Sequence, residues 1–142
     1  MKNNTQNKYI SVFCDRYRER NPFKKILYRA KQMKWAYQRA TRGYADIDAW
    51  EIRGWFLNVM PAMLDRLAES ADSYPNLPEG KTFSVQGSPI DKADNSMQGW
   101  RTLLHYMAQK FRDAEECEAE FRQERMDEVL DLFHEWFWDL WD

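Results

Sequence analysis

The chain has few of the residues that mark several protein classes. It holds only two cysteines, Cys14 and Cys117, and their spacing matches no metal or redox motif. Five glycines and five prolines among 142 residues exclude collagen-like and linker-like sequences. No apolar run approaches the roughly 20 residues that a membrane span needs. The N-terminus lacks the apolar stretch and cleavage site of a secretory signal, so we expect neither secretion nor a membrane partner.

Apolar and aromatic residues are plentiful enough to form a core. Hydrophobic residues make up 44% of the chain and aromatic residues 15%, which excludes wholesale disorder. A length of 142 residues is typical of one domain. We therefore predict a single helical domain over residues 1–142, in which the polar residues 1–8 are flexible.

Positive and negative charges are concentrated in different parts of the sequence. The net charge is −2, yet residues 1–43 carry twelve Lys or Arg and only two Asp or Glu. Residues 113–142 carry twelve Asp or Glu and only two arginines. This separation leaves two options open. The basic and the acidic part of the chain pack against each other, or each of them contacts a partner of opposite charge.

The first clear helical pattern covers residues 22–42. Asn21 and Pro22 favour its start, and Gly43 favours its end. Apolar residues recur at steps of three and four and define a face that we assign to the core. That face consists of Phe23, Ile26, Leu27, Ala30, Met33 and Tyr37. Residues 9–20 fit either a strand or a helix, and we favour a helix.

The next helical pattern begins at a capping box that starts with Asp48. Pro61 lies inside this pattern and removes a backbone donor, so it predicts a kink or a break near residues 57–60. The pattern ends by about Ser73. It therefore predicts at least one further helix in the first half of the chain.

The remainder combines one irregular region with a long helical pattern. Residues 73–96 contain three of the five prolines and predict a long loop, in which residues 82–85 form a brief extended segment over the core. Residues 97–141 have two apolar faces separated by an acidic stretch, and we favour two helices over one long helix. The fold class is therefore all-α, a small bundle of four to five helices.

Groups that could perform catalysis or bind a metal are sparse. The sequence places no partner beside either histidine, His105 or His134. Asp131 and His134 have the spacing of one half of a di-iron site, but the other half is missing because Thr102 stands three residues before His105. No nucleophile elbow, phosphate-binding loop or zinc-protease motif occurs. We predict a non-enzymatic protein without cofactor or metal.

The basic first helix combines cations with aromatic rings, as nucleic-acid-binding proteins do. Lysines neutralise phosphates, and rings stack on single-stranded bases. The acidic remainder of the chain repels phosphate, so nucleic-acid binding stays an alternative. Its residues are Lys24, Lys25, Lys31, Lys34 and Trp35.

The C-terminal segment is the most unusual part of the sequence. Residues 133–141 contain three Trp and two Phe on all sides of the predicted helix, so one buried face cannot accommodate them all. Exposed aromatic residues rimmed by charge mark protein interfaces. We predict a partner-binding surface within residues 113–142, with three tryptophans as anchors and four acids as steering charges. These residues are Trp136, Trp138, Trp141, Glu118, Glu124, Asp127 and Glu128. A tail that wraps over its own core is the alternative.

Several short motifs run through residues 35–111. A basic-aromatic segment from Trp35 is followed by Arg42-Gly43-Tyr44, two acids, Trp50 and an aliphatic helix; then come Tyr74-Pro75, Trp100, Leu104-His105-Tyr106-Met107 and Phe111. In this order the motifs resemble a family of small uncharacterised bacteriophage proteins. The resemblance implies an origin in a phage or mobile element and action in the cytoplasm of an infected bacterium.

These observations predict a phage-type protein that binds another protein. We expect a host or viral partner with a basic surface, and inhibition of a host enzyme or defence complex is the concrete form of this hypothesis. A row of carboxylates can also imitate DNA and compete for a nucleic-acid-binding protein. Nucleic-acid binding, self-association and a role as a virion or scaffold component are the alternatives.

Overall fold

A computed structural model describes residues 21–141, and every regular element within them is helical. The helices are α1 (Pro22–Arg42), α2 (Asp46–Trp50), α3 (Ile52–Ser70), α4 (Met97–Glu116) and α5 (Arg122–Trp136), followed by a 3-10 turn at Phe137–Asp139. The prediction of an all-α protein with four to five helices is confirmed. None of the helices in this range is long and apolar enough to cross a membrane.

The chain divides into two compact units, Met1–Asn58 and Val59–Asp142. The single domain predicted from the length of the chain stays a prediction. The predictions for residues 1–8 and 9–20, and the position of Cys14, lie outside the described residues. Cys117 is a half-buried free thiol in the second unit.

The ends of α1 lie where the sequence predicts them. The Asn21 side chain accepts a hydrogen bond of 3.0 Å from the backbone N–H of Phe23, and Pro22 takes the first helical position, where an N–H has no partner within the helix. Gly43 adopts a φ of 82°, the left-handed conformation that ends many helices, and its N–H donates to the carbonyl of Arg39. Local residue chemistry therefore fixes both ends.

The face of α1 that the sequence assigns to the core is exposed instead. All six of its residues are exposed, and we call them the outer face of α1: Phe23, Ile26, Leu27, Ala30, Met33 and Tyr37. The packed side carries Gln32, which is buried, and three half-buried residues, Tyr28, Trp35 and Arg39. Their steps of three and four place them about half a turn away from the predicted face. The assignment of the outer face to the core is wrong, because α1 turns the side with Arg39 towards α2.

The start of α2 and the path of α3 differ from the prediction in two ways. Asp48 is not the N-cap but the third residue of α2, and its carboxylate accepts a 2.7 Å hydrogen bond from the N–H of the true cap, Ala45. The interruption lies at Glu51, between α2 and α3, and α3 continues unbroken through Pro61 to Ser70. Pro61 removes one backbone hydrogen bond, but it is buried, and packing supplies most of the stability of a helix.

The core of the second unit is built around α4. Its predicted apolar face is buried in full and consists of Trp100, Leu103, Leu104, Met107, Phe111 and Ala114. Ser96 caps the helix by accepting a 3.1 Å hydrogen bond from the N–H of Gln98. The helix ends at Glu116, and α5 packs against it after a short turn. Residues 97–141 therefore form two helices, as we favoured.

The long connection between α3 and α4 places one large side chain in the core. Phe83 is fully buried, and its ring centroid lies 5.4 Å from those of both Trp100 and Trp136. The N–H of Phe83 donates to the side chain of Asn95, which ties the middle of the loop to its end. The segment around residues 82–85 covers the core as expected, although it does not form a strand.

Candidate protein-binding surface

The outer side of α5 carries a row of carboxylates. The helix buries Val129 and Trp136 on the side that packs against α4. The opposite side carries Glu124, Asp127 and Asp131, which are all exposed and follow steps of three and four. We call these three acids, together with the exposed aromatic residues that follow α5, the C-terminal surface.

The three tryptophans near the C-terminus have different environments. Trp138 is 85% exposed and Trp141 is 61% exposed, whereas Trp136 is only 2% exposed. The Trp136 ring packs on Phe83, and the Nζ of Lys81 lies 3.6 Å from the ring centroid. The prediction that Trp136 is a contact anchor is therefore wrong, because this residue lies on the side of α5 that faces the core.

A chain of ring contacts connects Trp138 to the core. Buried Phe111 contacts Phe133 at 5.7 Å, Phe133 contacts Phe137 at 5.7 Å, and Phe137 contacts Trp138 at 5.3 Å. All three contacts are edge-to-face, with ring planes inclined by 69° to 83°. Trp138 is thus largely exposed to solvent, and its ring contacts that of its chain neighbour Phe137, which is itself 49% exposed.

The four acids predicted to steer a partner fall into two groups. Glu118, Glu124 and Asp127 are exposed, as a steering charge must be. Glu128 accepts a hydrogen bond from Lys110 on α4 and forms an ion pair of 3.3 Å with Arg125. The hydrogen bond from Lys110 lowers the pKa of Glu128. Glu128 is exposed as well, but its hydrogen bond from Lys110 also makes it part of the contact between α4 and α5.

The residues of the nucleic-acid alternative all lie on α1. Lys24, Lys25 and Lys31 are exposed, and Lys34 forms a 3.3 Å ion pair with Asp46. Trp35 is half-buried on the packed side of the helix, so its ring is only partly available for stacking on a base.

The structure contains two ionic clusters that the sequence does not predict. In the first unit, Asp46 accepts hydrogen bonds from Gln38 and Arg42, which lower its pKa. In the second unit, Asp65 on α3 contacts two residues of α4, the Nδ1 of His105 at 2.7 Å and the guanidinium of Arg112. The partners of Asp65 lie 40 and 47 residues away along the chain, so no local pattern indicates the contact.

The Asp65 cluster fits a structural role. Its three side chains tie α3 to α4 at the surface, since Asp65 receives both contacts at once. Within residues 21–141, no group of three or more His, Cys, Asp or Glu side chains lies close enough to hold a metal ion. The C-terminal surface is therefore a better candidate for a functional site than the Asp65 cluster.

Comparison of the chain with protein-family models, curated proteins and solved structures finds no match. The resemblance to phage proteins has no support from these comparisons.

Proposed function

We propose that this protein binds another protein through the C-terminal surface and catalyses no reaction. The observation that carries the proposal is the exposure of two indoles after α5, since Trp138 is 85% exposed and Trp141 is 61% exposed. Tryptophan is a preferred anchor in the buried pockets of protein interfaces. Its side chain has only two rotatable angles, so it loses little conformational freedom on binding.

The charges of the C-terminal surface indicate the chemistry of the partner. Glu124, Asp127 and Asp131 form a continuous exposed row on α5, and Glu118 lies in the turn before it. Exposed acids add little affinity individually, but together they steer a basic partner towards the surface. The proposed partner is therefore a protein whose contact surface is both basic and apolar. A host enzyme or defence complex is the concrete form of this proposal.

Capture from a bacterial lysate, quantified by mass spectrometry, tests this proposal with a matched control. The wild-type chain, the double variant Trp138→Ala/Trp141→Ala and the variant Trp50→Ala are each immobilised. Trp50 is a strongly exposed tryptophan of the first unit, so it controls for nonspecific capture by an exposed indole. We expect proteins that wild type and Trp50→Ala retain and the double variant loses. Identical sets from all three chains would rule the proposal out.

The exposed lysines of α1 favour one alternative, nucleic-acid binding. Residues 22–42 contain seven Lys or Arg and no Asp or Glu, and Lys24, Lys25 and Lys31 are exposed. A titration of labelled single-stranded DNA at increasing salt distinguishes the two functions. Binding whose logarithm falls linearly with the logarithm of salt concentration supports the alternative, and the absence of binding at low salt excludes it.

A further inference from the structure

The outer face of α1 is an apolar surface that the described residues of the first unit leave exposed. Its five large side chains, Phe23, Ile26, Leu27, Met33 and Tyr37, are between 64% and 76% exposed. From Phe23 to Tyr37 the stripe is about 21 Å long at the helical rise. A contiguous exposed apolar surface of this kind marks an interaction site, and its spacing is that of a helix that docks on a partner.

The charge of α1 restricts what can cover this face. The helix carries seven Lys or Arg and no Asp or Glu. Three of these cations pair with Asp46 or Asp48 of the same unit, and the other four are exposed. A second α1 would bring like charges together, which disfavours symmetric pairing of two outer faces. The same reasoning disfavours pairing of two C-terminal surfaces, since each carries a row of acids. The fitting partner of the outer face is an acidic surface that is also apolar.

The C-terminal surface has these properties. Glu124, Asp127 and Asp131 supply the acids, while Phe137, Trp138 and Trp141 supply exposed apolar area. The length of α5 from Glu124 to Trp136 is about 18 Å, which is comparable to the stripe on α1. Any solution of the protein contains both surfaces at equal concentration.

We propose that a second copy of this chain docks its C-terminal surface on the outer face of α1. The inference rests on the proposed function, because it names a partner for the same surface. The two contacting surfaces are different, so the association is head-to-tail rather than symmetric. Because opposite charges orient it, the association is sensitive to salt.

Sedimentation velocity of the full chain at increasing concentration tests the proposal. We expect the mass to rise from the monomer value of 17.2 kDa to at least twice that value. Raising the salt from about 50 mM to about 500 mM shortens the range of electrostatic attraction and should move the midpoint roughly tenfold to higher concentration.

Two double variants test which surfaces meet. Leu27→Gln/Met33→Gln removes apolar area from the outer face of α1, and Trp138→Ala/Trp141→Ala removes it from the C-terminal surface. Each variant alone should remain monomeric, whereas an equimolar mixture should form a pair, because each chain then supplies the surface that the other lacks. Met63→Gln is the matched control, since Met63 is an exposed methionine of α3 outside both surfaces, and it should associate as wild type does. Far-ultraviolet circular dichroism checks that each variant is folded.

Three results would overturn the inference. The first is a wild-type chain that stays monomeric at every concentration. The second is self-association of the tryptophan variant alone, which would show that outer faces pair with each other. The third is a monomeric chain that sediments with phosphatidylglycerol vesicles and loses this binding in Leu27→Gln/Met33→Gln, which would assign the face to an anionic lipid surface.

The outcomes for the two proposals remain separate. If the wild-type chain is monomeric but still captures proteins through Trp138 and Trp141, the inference of a second copy as partner is overturned and the proposed function stands. If the chain self-associates but captures no other protein, the second copy is the partner of the C-terminal surface, and binding to a different protein is ruled out.

Discussion

Arg39 on α1 donates two hydrogen bonds to the carboxylate of Asp48 on α2, from Nε at 2.9 Å and from Nη2 at 2.6 Å. The same carboxylate accepts the N–H of Ala45, and its side chain is only 3% exposed. A bidentate pair between arginine and a carboxylate is among the strongest hydrogen-bonded arrangements in proteins. This pair therefore sets how α2 follows α1.

Removal of Arg39 should destabilise the protein markedly. The change Arg39→Ala leaves the buried carboxylate of Asp48 without its cationic partner, and we expect a loss of about 2–3 kcal/mol in the free energy of unfolding. Urea unfolding followed by circular dichroism measures it. The control is Arg53→Ala, which breaks an exposed 3.1 Å ion pair with Glu51 and should cost less than about 1 kcal/mol. Equal losses in the two variants would contradict the role of Arg39.

Acid should unfold the protein because several carboxylates have a lower pKa in the folded state. Burial alone would raise the pKa of Asp48, but hydrogen bonds from Arg39 and from the N–H of Ala45 outweigh it and lower the pKa below 3.8. The pKa values of Asp46 and Glu128 are lowered as well. Such groups stabilise the fold above their unfolded pKa, and this contribution is lost as the pH falls towards the folded pKa.

Thermal melts between neutral pH and pH 3 measure this dependence. We expect a nearly constant melting temperature down to about pH 5 and a steep fall below about pH 4. The variant Asp48→Asn should melt lower at neutral pH and lose less on acidification, since one titrating group is gone. Parallel curves for the variant and wild type would show that Asp48 does not contribute.

The apolar pattern predicts where helices lie better than which of their faces are covered. The cap at Ser96, the left-handed Gly43 and the buried face of α4 all follow from local chemistry and spacing. The outer face of α1 has an equally regular pattern and yet lies in solvent. The contact that orients α1, between Arg39 and Asp48, joins residues on two helices, and spacing along a single helix does not encode it.

Trp136 and Trp138 should respond to substitution in opposite ways. Trp136→Ala removes a core ring and should cost about 3–5 kcal/mol of stability, whereas Trp138→Ala should change it by less than about 0.5 kcal/mol. Denaturant unfolding of the two variants compares them directly. A similar loss of stability in both would contradict the assignment of one ring to the core and the other to the surface.

Only part of the candidate site could be predicted from the sequence, because the exposure of a side chain depends on contacts between elements as well as on spacing along one helix. The sequence identifies the acids and the excess of tryptophans, and Trp138, Trp141, Glu118, Glu124 and Asp127 are indeed exposed. It does not distinguish Trp136 from Trp138, since the pattern places aromatic residues on every side of the helix. The distinction arises from the end of α5 and the 3-10 turn after it, which depend on packing against Phe133 and Phe83.

Two glycines near the starts of helices should show opposite responses to alanine. A Cβ at Gly99 in α4 would lie 1.7 Å from the carbonyl oxygen of Asp94, so Gly99→Ala forces backbone to move and should cost at least about 1–3 kcal/mol. A Cβ at Gly54 in α3 meets only the flexible side chain of Glu51, at 2.8 Å. Gly54→Ala should therefore be neutral or stabilising by about 0.5–1 kcal/mol. Melting temperatures of both variants test the prediction, and a stabilised Gly99→Ala would refute it.

The pairing of Trp100 with Trp136 gives the core an optical property of its own. The two indole centroids lie 5.5 Å apart, with planes inclined at 53°. At this distance and inclination the electronic transitions of the two rings couple, and coupled indoles produce a pair of circular-dichroism bands of opposite sign. The signal depends on the distance and relative orientation of the two rings, so it is lost when the core loses its packing. The protein thus carries a spectroscopic reporter of its interior that needs no added label.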